Sequence, residues 1–136
     1  MSIGEHENLG GTTMELRKDR YTVVTHEDDI EFGAPHHFEV HTLLQDYSLL
    51  GNPGDIDRRV GQVNFQKGPI KEAGINGVMN EDLLLMVITR MQHFQNSEFA
   101  CRENAMALTK LEEALMWMNK RTEARNKRGV EGTHKV

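Results

Sequence analysis

Two periodicities divide this chain. Over His37–Leu44, Phe38, Val40 and Thr42 alternate with Glu39 and His41, the period-two pattern of a half-buried strand. Over Arg59–Gln66, Val63 and Phe65 share one face of a second strand. The turn-rich run GNPGDID at 51–57 separates them, which predicts an antiparallel hairpin. Lys67-Gly68-Pro69 ends the second strand, because proline has no amide proton for the ladder. From residue 80 the period becomes helical. Leu84, Val87, Ile88 and Met91 form one apolar stripe of a helix over 80–95, with Asn80 as its cap and Glu81 and Asp82 in its first turn. Asn96-Ser97-Glu98 is a connection too short for anything but an antiparallel return. The second helix is expected from Phe99 to Arg125 or slightly beyond. Its Leu108, Leu111, Leu115 and Met118 repeat at the spacing of a coiled-coil seam, and Gly129 is its stop.

The fold class expected is α+β: a small antiparallel sheet, then a long antiparallel helical hairpin that forms an oligomer interface. Residues 1–33 are expected to be a flexible or weakly ordered extension, although Tyr21–Thr25 is β-prone. Residues 34–136 form the domain proper, with the sheet over 34–78 and the hairpin over 80–128. A second helix of about 27 residues spans about 40 Å, and a first of about 16 spans about 24 Å. The overhang carries Met116, Trp117 and Met118, whose apolar surface calls for a second protomer.

Charge is uneven. Residues 1–57 hold 3 Lys/Arg and 12 Asp/Glu, a net of −9; residues 58–136 hold 13 and 9, a net of +4. The helical half is therefore the place for an anionic ligand. The total of −5 argues against bulk coating of DNA, and no DNA partner is expected. No apolar run approaches a membrane span and no signal-peptide pattern is present, so no membrane partner is expected. The single Cys101 suits a reducing cytoplasm. His36, His37, His41 and Cys101 match no metal-ligand spacing, so no metal or cofactor is expected. Catalytic motifs are absent, and Glu112 and Glu113 point about 100° apart on a helix, which suits a solvated face rather than paired acids. No enzyme is expected.

Several residues carry two readings. Lys120, Arg121, Arg125, Lys127 and Arg128 complement a helix dipole or clamp a diphosphate. Phe94 is a core aromatic or stacks on a purine. Asn104 sets the register of a helix pair or bonds a base edge. Lys67 sits in a turn or brings a cation to a pocket rim, with Arg59 and Arg58 next in line.

The run from Phe99 to His134, together with FQKGPI at 65–70, GINGV at 74–78 and RMQHFQ at 90–95, resembles the phage Thoeris anti-defence protein one family. That family shares its helical hairpin with the phage anti-CBASS protein two. The resemblance covers roughly residues 34–136. It implies a sponge in the cytoplasm of the infected bacterial host, one that sequesters cyclic ADP-ribose-type immune signals without cleaving them. Some relatives also hold cyclic di- or trinucleotides, and some assemble from dimers to hexamers. It implies a pocket at a homodimer interface, mapped here onto Phe94, Asn104 of the Arg102-Glu103-Asn104 motif, and Arg121. Lys67, Arg125 and Arg59 are further ligand-binding candidates. Asn104 and Arg121 lie 17 residues apart, about 25 Å along one helix, so an antiparallel second chain is needed to bring them together. The alternative is a structural or regulatory helical dimer whose basic end contacts nucleic acid.

Overall fold

The computed structural model describes residues 4–8 and 11–136, with side chains described from Thr13 onward. The chain forms two compact units, Met1–Lys67 and Gly68–Val136.

The first unit is a five-stranded antiparallel meander: β1 (Gly4–Asn8), β2 (Gly11–Lys18), β3 (Thr22–Glu27), β4 (His37–Leu43) and β5 (Ile56–Asn64), lying side by side in chain order. β4 and β5 form the expected hairpin, with Phe38 opposite Val63 and Glu39 opposite Gln62. β3 is the middle strand. Its Val23 is fully buried and Thr25 nearly so, while β4 contributes the buried Leu43. The aromatic side of the hairpin joins His26, Phe38 and Phe65 through tilted and edge-on ring contacts at 5.6 and 5.5 Å, the arrangement the ring quadrupole favours.

One expectation about the N-terminal region changes. Most of residues 4–27, expected to be a weakly ordered extension, supply three of the five strands, and β2 and β3 are joined by a tight turn that Asp19 closes. Asp19 accepts the backbone N–H groups of Tyr21 and Thr22 at 2.7 and 2.8 Å. The weak order expected for residues 1–3, 9 and 10 lies outside the described residues. In the β4–β5 connection, Gly51 has φ +148°, and a Cβ there would meet the Asp55 carboxylate at 2.5 Å. That carboxylate closes the loop by accepting the Asn52 N–H at 2.9 Å.

The second unit is helical: α1 (Ile70–Ala73), α2 (Asn80–Gln95) and α3 (Arg102–Arg128). α2 and α3 pack together as the helical hairpin, with Ile88 its buried apolar residue at 4% exposure. α2 matches its expected span, but Asn80 is the first helical residue rather than the cap. The Asp82 carboxylate accepts the Met79 N–H at 2.8 Å instead. α3 begins three residues later than expected, because the Gln95 side chain clasps Cys101 from both sides. Its amide nitrogen donates to the Cys101 carbonyl at 3.0 Å, and its oxygen accepts the Cys101 N–H at 3.1 Å. Residues 96–101 are thereby held as a connecting turn. Gly129 ends α3 in the left-handed conformation, as its position suggested.

Candidate functional site

Half-buried positions on α3 fall at Asn104, Leu108, Leu111, Ala114, Leu115, Met118 and Thr122, a stripe at helical spacing that ends in the buried Arg125. On α2 the corresponding stripe is Leu84, Ile88, Met91 and Phe94. Asn104 therefore occupies a position of the apolar seam, as its register suggested. Its side-chain amide makes no hydrogen bond among the described residues. The amide is not buried away from solvent, so its donor and acceptor are open to a group from outside the chain.

Phe94 lies in the last turn of α2 and Asn104 in the first turn of α3, so both belong to the turn end of the hairpin. The Phe94 ring carries the Arg90 guanidinium 4.9 Å from its centroid and meets Phe99 edge-on at 6.3 Å. Arg121 is exposed and its guanidinium bonds no acceptor among the described residues. It sits about 25 Å along α3 from Asn104. One chain thus gathers the aromatic and the amide, and leaves the arginine at the other end.

Arg125 behaves differently from its neighbours. It was grouped with the ligand-binding cations, yet it is only 7% exposed and its donors are spent within the chain. Nε donates to Glu131, and the terminal nitrogens donate to the carbonyls of Val130, Thr133 and Lys135, all between 2.8 and 3.1 Å. It binds the tail that follows α3, and a guanidinium so engaged has little left for a phosphate.

The two remaining candidate cations stand in the sheet unit. The Lys67 ammonium donates to Asp29 at 2.6 Å and lies 3.3 Å from Glu31. That hydrogen bond holds the Asp29 carboxyl below its usual range and raises the Lys67 ammonium in turn. Arg59 lies 3.7 Å from Glu39. Glu39 belongs to a polar row along β4, where His37 donates to it at 2.9 Å and also meets the Asn64 side-chain oxygen at 2.6 Å. Hydrogen bonding to Glu39 and then Asn64 raises the His37 pKa, and the same bond lowers that of Glu39. Among the described residues no group of three or more His, Cys, Asp or Glu is arranged to hold a metal.

Two open hollows mark the hairpin. One, of about 690 Å³, runs between α2 and α3 past Leu85, Ile88, Gln92, Leu115 and Asn119. The other, of about 710 Å³, lies along α2 by Val78, Met86 and Arg90. Neither is lined by Phe94, Asn104 or Arg121. Apolar side chains are left in water on both helices, among them Leu85, Met86 and Val87 on α2 and Met106, Met116 and Trp117 on α3. For a hairpin of this size that is a substantial uncovered surface. No helix among the described residues is long and apolar enough to cross a membrane.

A family model described as "Acb2/Tad1, hairpin domain" matches residues 59–123, which take in most of β5, all of α2 and most of α3. A protein of Bacillus phage SBSphiJ7 named Thoeris anti-defense 1 is 57% identical over 134 residues. The alignment covers 88% of this chain and 94% of that relative.

Proposed function

Because the chain belongs to the family of phage Thoeris anti-defence proteins, we propose that it protects an infecting phage by holding a nucleotide immune signal in the host cytoplasm. The ligand is a cyclic ADP-ribose-type molecule, bound and kept intact. Such a sponge needs affinity and stoichiometry and no turnover.

The observation that carries this reading is the pair of unengaged polar groups on α3. The Asn104 amide and the Arg121 guanidinium find no hydrogen-bond partner among the described residues, and they are too far apart for one small ligand to reach both. A second copy packed antiparallel along the hairpin brings one chain's Asn104 to the other's Arg121. Two-fold symmetry then makes two equivalent pockets. The exposed Trp117, Met116 and Met106 supply the apolar surface for that pairing. In each pocket Phe94 stacks the adenine, Asn104 fixes base or ribose groups, and Arg121 neutralises the diphosphate. Arg125 supports the helix end from inside and takes no part in contact. Cyclic di- and trinucleotides are the next ligands to try, since the family model joins two anti-defence proteins under one hairpin.

The test is calorimetric titration with a cyclic ADP-ribose isomer that has a ribose–ribose linkage, followed by heating and chromatography of the released ligand. One ligand per protomer, recovered unchanged, is the expected result. Recovery of cleaved ligand would make the protein an enzyme, and absence of binding to this and to cyclic oligonucleotides would remove the sponge reading.

A further inference from the structure

Phe99 stands in the turn between α2 and α3, and 64% of it is exposed. An aromatic ring left in water at a turn contributes little to folding. The turn nevertheless holds it in place. The Ser97 hydroxyl donates to the Phe94 carbonyl at 2.6 Å and accepts the Phe99 N–H at 3.1 Å. Two residues after Phe99, Gln95 clasps both backbone groups of Cys101. Phe99 is thus fixed on both sides and set at 87° to the Phe94 ring, forming a corner of two aromatic walls.

Arg90 adds the third side. It lies one helical turn before Phe94 on α2, with its guanidinium over that ring. It is exposed, and no acceptor among the described residues bonds it. It also borders the hollow along α2. A planar cation held against an aromatic face keeps its N–H edge free for ring nitrogens or phosphate oxygens.

We propose that Phe99 and Arg90 complete the nucleobase subsite around Phe94: Phe99 is its second wall, and Arg90 the cation that orients a purine nucleotide against it. This rests on the sponge reading above. The corner explains why an exposed ring is held so firmly, and it selects a flat base with polar edges over an aliphatic ligand. Both residues come from the same chain as Phe94, so this half of the pocket is already formed before any second copy arrives.

The experiment titrates the full chain and the variants Phe99→Leu, Phe99→Tyr and Arg90→Gln with the ribose–ribose-linked cyclic ADP-ribose isomer, with a thermal melt of each. Leucine keeps apolar bulk and removes the aromatic face. Phe99→Leu and Arg90→Gln are each expected to weaken binding by about tenfold or more at unchanged melting temperature, while Phe99→Tyr stays near the parent. A parent chain that binds while Phe99→Leu and Arg90→Gln bind equally well overturns this proposal and leaves the sponge reading intact. A parent chain that does not bind overturns the sponge reading, and this subsite falls with it.

Discussion

Arg125 and Glu131 are joined by a 3.0 Å bond from Nε to Oε2 that spans the glycine stop of α3. With three further bonds from the same guanidinium to tail carbonyls, it turns the last residues of the chain back onto the helix. The tail reaches α1 as well: the Lys71 N–H donates to the Gly132 carbonyl at 2.9 Å, and His134 meets Glu72 at 2.7 Å. Arg125→Ala should therefore lower stability by about 2–3 kcal/mol, through several lost bonds to a charged and buried donor. A thermal melt several degrees below the parent is expected. A melt identical to the parent's would show that the tail holds without its clamp.

Arg121 and Arg125 are four residues apart and should separate cleanly. Arg121 is exposed and unengaged, so Arg121→Ala should leave the melting temperature within about 1 °C, as surface substitutions usually do. Its effect should fall on ligand binding, weakened about 10- to 100-fold by loss of a charge-assisted contact. Calorimetry and melts on both variants check this. Tight binding retained by Arg121→Ala would refute its role at the diphosphate.

The row His37–Glu39 should make the stability of the sheet unit depend on pH. His37 faces Glu39 on its own strand and Asn64 on β5, with Glu27 on β3 adding a weaker attraction. Only a doubly protonated imidazole donates to both hydrogen-bond partners. Because its folded pKa is raised, this stabilisation is complete below the ordinary value of 6.5 and is lost as pH rises through the folded value. Glu39 is depressed, so its share is present above 4.5 and lost as pH falls through its folded value. Stability from this pair should peak in mildly acidic solution. Urea unfolding at pH 6 and pH 9 should show a larger drop for the parent than for His37→Gln. Equal drops would mean that the pair does not couple to folding.

Trp117 is 56% exposed on α3 beside Met116, with Lys120 over its ring at 5.2 Å. If this face seats a second copy, Trp117→Glu should shift the chain towards monomer and raise the dimer dissociation constant at least tenfold, on the scale of an aromatic interface anchor. Sedimentation velocity over a concentration series reads this directly. A monomeric parent, or a variant that dimerises as well as the parent, would exclude this face.

Much of the architecture was legible because its signals are local. β4 and β5 follow from the alternation around Phe38, Val40, Val63 and Phe65, and α2 runs over its expected residues because its stripe and acidic first turn agree. The first strands were less legible, since β2 carries Thr12, Thr13, Glu15, Arg17 and Lys18 and has little apolar alternation to betray it. The start of α3 depends on one glutamine bonding backbone six residues away, which no periodicity reports. By residue type and register alone Phe94 and Asn104 each carry two readings and Arg121 is one of five cations, and it is the family resemblance that singles out the three. Arg125 and Lys67 looked equivalent to them, because a cation's partner is invisible when it lies in an unpatterned tail or, as with Asp29, 38 residues back in the chain. Arg90 and Phe99 carry no signal of their own in the sequence, and only their geometry with Phe94 singles them out.

β5 closes the sheet on one side, and most of its positions are exposed. Asp57, Arg58 and Arg59 crowd its first half, and its pairing with β4 slips twice, around His41. Charges and irregular register are what keep a terminal strand from recruiting another molecule's strand and seeding aggregates. If the chain is the sponge proposed above, it matches its target mole for mole and has to accumulate to high concentration inside a cell. For such a protein, an unsociable last strand sets how much of it the cell can hold in solution.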